Sequence, residues 1–511
     1  MLLHQLFEAT ARQSPEKDAI VFEGQRTTYA HLDRKAARLA AALQQRGVQR
    51  GDRVATFLDN GVEAVVAILA ALKCGAVFMP INPLTKRDKL AYLLNDSRAS
   101  ALVAHAPLRA EWAAGLAANQ TVHTCFVVGD DDSEAAVQDA RCLPYPTASS
   151  EVGALTAPPL IDQDLAGIIY TSGSTGDAKG VMLTHLNMVS AARSVSGYLE
   201  MQADDVVLCV LPIAFDYGLY QVLMSFLVGA TLVLERSFSF PVQVLATMER
   251  EQVTIFPGVP TVFSLLMNMK TLRDHPLPSL RKITNTAAAL SEEHIRQLRE
   301  LFPQALLYSM YGLTECKRVT YLPPDQLDIR PTSVGRGMPN EEVWLVDEAG
   351  QRLPNGSTGE LVIRGSNVMR GYWDKPAQTA ERLKPGPIAG EMLLHSGDIF
   401  RTDAEGYLYF VARKDDIIKS RGEKVSPREV ENVLYGMPGV LEAAVVGVPD
   451  PVLGEAVKAF VTLKEGVTLT EREVIKYCLA RLESFMAPKH VAFVEALPKT
   501  DTGKIKKTGL A

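Results

Sequence analysis

The 511-residue sequence predicts an α/β protein: a large N-terminal domain of layered α/β subdomains plus a β-rich subdomain, followed by a small mobile α+β domain. Three observations predict it. Amphipathic helices alternate with short apolar strands through the first two hundred or so residues, which is the pattern of α/β layers around largely parallel sheets. Strand-like segments punctuated by glycine run from Val334 to Gly371. From Asp398 onward the texture changes to a compact stretch of about one small domain.

The elements follow in order. Leu2, Leu3, Leu6, Phe7 and Ala11 have helical spacing, and Ala19 to Phe22 reads as a strand. Tyr29 to Gln45 carries Leu32, Ala36, Leu39 and Leu43 on one face, and Gly51 to Leu58 is a turn entering a strand. Helix Val62 to Lys73 leads to strand Ala76 to Ile81, helix Arg87 to Asn95 to strand Ala101 to Ala104, and a turn at Met201 to Asp205 to strand Val206 to Leu211. Between Gly129 and Gln163 periodicity is lost, so a surface connection is expected. Glu342 to Val346, Gly359 to Arg364 and Tyr407 to Ala412 read as strands. A domain boundary is expected near Lys414, dividing the chain into 1–413 and 414–511.

Composition excludes several functions. Lys plus Arg number 53 against 59 Asp plus Glu, a net charge of −6, with no basic block for nucleic acid. The apolar run Ala64 to Leu72 is bounded by Glu63 and Lys73, too short for a bilayer span of roughly 20 residues. With no recognisable signal peptide, a cytoplasmic location without membrane attachment is expected. The six cysteines form no Cys-x-x-Cys pair, which argues against a zinc site or disulfide framework and for incidental thiols.

The most informative segment is Ile168-Ile-Tyr-Thr-Ser-Gly-Ser-Thr-Gly-Asp-Ala-Lys-Gly-Val-Met-Leu-Thr-His185. A strand runs into a Ser/Thr/Gly loop whose amides and hydroxyls can surround phosphate oxygens, with Lys179 adding positive charge. The nucleotide-triphosphatase pattern is absent, because Lys179 sits three residues past Gly176 and precedes Gly180. A flexible linker would not need the strand-leading apolar residues.

That segment resembles the phosphate-binding signature of the adenylate-forming superfamily of acyl-CoA synthetases, carrier-protein adenylation domains and luciferases. Tyr311-Gly-Leu-Thr-Glu315, Gly371-Tyr-Trp, His395-Ser-Gly-Asp398, Arg413 to Glu431 and Pro498 to Lys504 resemble its later motifs, in the family's order. The resemblance implies ATP and Mg²⁺ as cofactors. Thr171, Ser172, Gly173, Ser174, Thr175, Gly176 and Lys179 would hold the departing phosphates; Thr314 would contact the α-phosphate and Glu315 would bind the metal. Tyr311 and Gly312 would face adenine together with Asn285, Thr286 and Ala287, while Asp398 and Arg413 would hold the ribose. Taken singly, Glu315 and Asp398 read as surface carboxylates, Tyr311 as core and Asn285 as part of a turn; their motif contexts favour the site. Lys504 would reach from the C-terminal domain to the reacting carboxylate. Asp415 would be the hinge for rotating that domain, and Gly422, Glu423 and Lys424 would face the thiol tunnel. Ala412 departs from the glycine many relatives carry.

For the acid, the resemblance assigns Phe215, Asp216, Tyr217, Tyr220, Ile283, Met310, Arg318 and Val319 as lining. A buried Asp216 needs a cationic partner, which argues for an amine-bearing substrate unless local backbone or Arg318 occupies it. The stretch Tyr311 to Val319 most resembles free-standing L-prolyl-AMP ligases that load a phosphopantetheinylated peptidyl carrier protein; basic Arg421 and Lys424 would meet an acidic carrier. The same stretch also resembles acyl-CoA ligases, so coenzyme A with a small carboxylic acid is the alternative. A non-enzymatic binding module would not need Lys504.

Overall fold

A computed structural model describes residues 1–129, 139–171, 178–269, 271–272, 275–286, 290–414, 416–420, 423–450, 453–482, 484–499, 505–507 and 509–510. Its described residues form four sheets, of eight, nine, five and five strands. The periodic segments fold as read: helices span Leu3–Gln13, Tyr29–Gln45, Val62–Lys73 and Arg87–Asp96, with strands Asp18–Phe22, Arg53–Phe57, Val77–Ile81 and Ala101–His105 between or after them. Helix Val62–Lys73 is buried along nearly its whole length, which explains why it is apolar all round. No helix among the described residues is long and apolar enough to cross a membrane.

The eight-stranded sheet is parallel through its centre and ends in an antiparallel hairpin, Leu165–Thr171 with Lys179–Thr184, that flanks the predicted phosphate loop. The nine-stranded sheet runs parallel through Val206–Cys209, Ile255–Gly258, Lys282–Asn285 and Leu306–Tyr311. The carboxyl ends of such parallel strands are where α/β proteins place ligands. A large apolar core is shared by both sheets and the helices between them.

The β-rich part is an antiparallel sheet built on Glu341–Val346, Thr358–Gly365 and Met392–Thr402, with Leu408–Arg413 along one side. Residues from Ile418 onward build the fourth sheet and a core of their own, in which Val430, Val445, Val457 and Val474 are buried together. Large N-terminal and small C-terminal parts therefore have separate interiors.

One expectation needs correction. The stretch from Gly129 to Gln163 contributes an edge strand, Cys142–Pro144, too short for periodicity to reveal. It places Cys142 directly beside Cys125 in neighbouring parallel strands, a proximity that their separation along the chain hides.

Candidate active site

The phosphate end of the site is assembled from three segments. Thr171 and Lys179 are the closing pair of the hairpin, the Thr171 hydroxyl donating to the Lys179 carbonyl at 3.5 Å. Ser172, Gly173, Ser174, Thr175 and Gly176 lie outside the described residues. The far strand of the hairpin is clamped by Gly371–Tyr372, which pairs with Met182 and Val181, and by the Trp373 amide donating to the Gly180 carbonyl at 2.8 Å. Gly180 is required there, since a Cβ would sit 2.7 Å from Ile168 Cγ2.

That clamp delivers Tyr372 to the centre. Its hydroxyl donates to Glu315 Oε1 at 2.6 Å, and Lys179 Nζ lies 5.6 Å from its ring centroid. Burial, reinforced by Glu315, pushes the Tyr372 phenol up, so it stays a donor and fixes one carboxylate oxygen. The sequence reading noted the Gly-Tyr-Trp motif without this role.

Glu315 rides on a turn that doubles back. Strand Leu306–Tyr311 ends, the Val319 amide returns to the Tyr311 carbonyl at 3.0 Å, and Gly312 faces the Lys317 carbonyl so closely that a Cβ would lie 2.3 Å from it. Asn367 Nδ2 holds the return leg by donating to the carbonyls of Cys316 and Arg318 at 2.8 and 3.1 Å. The Met369 amide donates to the Glu315 carbonyl at 2.7 Å. Thr314, at the crest, is half-buried.

The nucleoside end is the other face of this turn. Tyr311 donates to Asp398 Oδ2 at 2.5 Å and packs edge-on to Phe400, with ring centroids 4.8 Å apart. Burial raises the Asp398 carboxyl, opposed by the Tyr311 hydrogen bond and by Arg413 and Arg382. Arg413 is the register partner of Asp398 and is exposed. Arg382 was missed in the sequence: it lies against Gly397, whose φ of +69° and missing Cβ make room for the guanidinium. No motif surrounds it; the close approach to Gly397 and the hydrogen bond from Nη1 to the His395 carbonyl at 3.4 Å reveal it. Asn285 is buried at the end of its strand, and the buried Thr286 hydroxyl accepts from Arg318 Nη1, so this segment joins the nucleoside end to the acid pocket. Ala287 lies outside the described residues.

The acid pocket centres on the first turn of helix Asp216–Val228. Phe215 is its N-cap residue, and Gly218 lets the helix approach the preceding loop, where a Cβ would meet the Pro212 carbonyl at 2.3 Å. Tyr217 bonds to Thr284 through its hydroxyl, at 2.9 Å to the carbonyl and 2.8 Å to the hydroxyl oxygen. Tyr220, Ile283, Met310 and Val319 are all buried. The partner of Asp216 is Lys317, with Nζ 3.0 Å from the Asp216 carbonyl and 3.8 Å from Oδ2. This corrects the expectation that Asp216 faces a substrate ammonium unless local backbone or Arg318 occupies it. Lys317 has a positive φ of +67°, which turns it into the pocket while its neighbour Arg318 points to Thr286.

Lys504, Asp415 and Gly422 lie outside the described residues, as do the side chains of Glu423 and Lys424, whose backbone forms strand Glu423–Val425.

A half-buried carboxylate fixed by a tyrosine hydroxyl, the hairpin Leu165–Thr171 with Lys179–Thr184 and a buried cluster at the ends of parallel strands lie together where an ATP-dependent, adenylate-forming ligase would keep its site. The comparisons agree. Residues 7–373 match the AMP-binding enzyme family and 429–504 its C-terminal domain, so the chain belongs to that family. It is 36% identical to feruloyl-CoA synthase from Amycolatopsis sp, covering 97% of this chain and 96% of the relative. It is 32% identical to a long-chain-fatty-acid–CoA ligase of Bacillus subtilis (strain 168), covering 99% and 94%. ATP-bound MatB from Rhodopseudomonas palustris superposes with a TM-score of 0.87 at 31% identity, covering 100% and 98%. The expected L-prolyl-AMP ligase type finds no support in these relatives.

Proposed function

We propose that the protein is an AMP-forming acid–CoA ligase for a small carboxylic acid. The observation that carries this reading is the Asp216–Lys317 pair. The aspartate already has its cation inside the protein, so the argument that it demands a substrate ammonium falls away. The full-length likeness to enzymes named as CoA ligases supports coenzyme A over a carrier protein as acceptor.

In the first step a carboxylate oxygen attacks the α-phosphorus of ATP and the bond to pyrophosphate breaks. In the second the CoA sulfur attacks the acyl carbon, its proton is lost and AMP leaves. Thr171 and Lys179 bind the departing phosphates, and the Tyr311–Asp398 pair orients the nucleoside. Glu315 would hold Mg²⁺: the Tyr372 hydroxyl fixes one of its carboxylate oxygens at 2.6 Å, and a single carboxylate is a donor suited to an ion that binds together with nucleotide phosphates. When bound it supplies charge neutralisation at the phosphates. Lys504 and Asp415 lie outside the described residues and are given the roles the family resemblance implies, neutralising the reacting carboxylate and serving as hinge.

The test is acid-dependent pyrophosphate release over a panel of carboxylic acids and amino acids, followed by thioester formation with coenzyme A or a holo carrier protein. Release with non-amino acids and a CoA thioester are expected. Activation of amino acids alone, or loading of a carrier alone, would overturn the proposal.

A further inference from the structure

Far from the active site the fold brings two cysteines together. Strand Thr124–Val128 and the edge strand Cys142–Pro144 run parallel with Cys125 and Cys142 in register, at the end of the eight-stranded sheet opposite the phosphate hairpin. Register partners point to the same face of a sheet, and neighbouring strands about 4.8 Å apart lie inside the Cα separation of about 4.4–6.8 Å that a disulfide spans. The backbone fixes that register. The Cys125 amide donates to the Arg141 carbonyl at 2.8 Å, the Tyr145 amide to the Val127 carbonyl at 2.9 Å, and the Cys142 amide to the Asp139 carbonyl at 2.9 Å. Arg141 Nη1 adds bonds to the carbonyls of Asn119 and Val122 at 3.1 and 3.3 Å, tying the edge strand to the segment that leads into its neighbour.

Most free cysteines are inert packing, and five of the six here are buried. Cys142 is the exception. It is half-buried and borders a cleft of about 390 Å³ lined also by Arg109, Trp112, Asp139 and Ala140, a size suited to a small molecule. The two thiols are within hydrogen-bond reach, Cys125 donating to Cys142. That bond lowers the Cys142 thiol, with Arg109 and Arg141 assisting against burial and Asp139, while it raises Cys125 together with burial. Burial raises Cys74, Cys209, Cys316 and Cys478 as well. Access and thiolate character therefore coincide at one sulfur, and a second sulfur stands directly behind it.

We propose that Cys142 and Cys125 form a dithiol modification site that exchanges with low-molecular-weight disulfides, Cys142 taking up the small thiol in the cleft and Cys125 resolving it into a cross-strand disulfide. The Cys142 sulfur attacks one sulfur of the small disulfide, whose S–S bond breaks; the departing thiolate takes the Cys142 proton. The Cys125 sulfur then attacks the Cys142 sulfur of the mixed disulfide, that S–S bond breaks, and the Cys125 proton leaves with the second small thiol. Two protein thiols are oxidised to one disulfide and one small disulfide is reduced to two thiols. Thr171, Lys179, Glu315 and Asp398 take no part, so acid activation by the reduced enzyme does not depend on this pair.

The experiment incubates the reduced full-length enzyme with glutathione disulfide and maps the products by peptide mass spectrometry. A Cys125–Cys142 cross-link that dithiothreitol reverses is expected, formed about tenfold or more faster than any adduct at the other four cysteines. Cys125→Ser should stop at a glutathione adduct on Cys142, and Cys142→Ser should leave Cys125 unmodified. Both reduced variants should release pyrophosphate at the wild-type rate, which also shows that they are folded; if one does not fold, the wild-type map decides alone. Absence of the cross-link in the wild type, or equally fast reaction at the buried cysteines, would overturn the proposal.

Discussion

The nucleotide end and the acid pocket sit on opposite legs of one turn, yet they are built on different physics. At the nucleotide end Tyr311, Thr314, Glu315 and Asp398 are half-buried, and two tyrosine hydroxyls hold two carboxylates at 2.5 and 2.6 Å. These groups stay in reach of water and are prearranged for a polar ligand. In the acid pocket the charges are buried among tyrosine rings, and their balance depends on which side chain turns inward. The first region holds the groups proposed to make the acyl adenylate; the second holds those proposed to choose the acid.

Four changes would break or sharpen that contrast. Largest is Glu315→Ala, which removes the carboxylate proposed to hold the metal: kcat for pyrophosphate release should fall about a hundredfold or more, and chelation of Mg²⁺ should abolish turnover reversibly. Retained activity would dissociate Glu315 from the metal. Next, Asp216→Ala leaves Lys317 buried without its counterion. A loss of about 2–4 kcal/mol in denaturant unfolding is expected, largely recovered in the Asp216→Ala, Lys317→Met double variant. Additive losses would mean that the two do not act as a pair.

Tyr372→Phe keeps the ring and deletes the hydrogen bond to Glu315. About a tenfold drop in kcat with an almost unchanged melting temperature is expected, since supporting hydrogen bonds of this kind orient a ligand more than they hold a fold. The smallest effect is on pH dependence. Burial lowers the Lys317 ammonium to about 7, against the raising influence of Asp216 and the further lowering influence of Arg318. As pH rises through 7 the native amine loses its charge. Between about 7 and the unfolded value near 10.4 the unfolded chain binds the extra proton, so this group makes the fold more stable as pH increases. Unfolding titrations of wild type and Lys317→Met would show whether that slope belongs to Lys317.

The legible parts of the sequence were those where function and local pattern coincide. Helices Tyr29–Gln45 and Val62–Lys73 have the bounds their apolar residues predict, because the first buries a face that recurs along the helix and the second is buried nearly all round. The segments carrying Lys179, Tyr311, Glu315 and Asp398 were recognisable as motifs because phosphate and metal binding need particular residue types at short spacing. Strand Cys142–Pro144 escaped because three residues carry no period, and Arg382 because its place depends on a glycine fifteen residues away.

The sequence by itself therefore determined the α/β class through periodicity, and pointed to adenylate-forming chemistry through motifs that resemble those of a known superfamily. Only the tertiary structure decided the charge of the acid pocket. Asp216 and Lys317 are a hundred and one residues apart, and which cation reaches the aspartate follows from a positive φ at Lys317 and from Gly312 letting the turn close. A buried charge takes its meaning from the groups around it, and those are chosen by packing between distant segments.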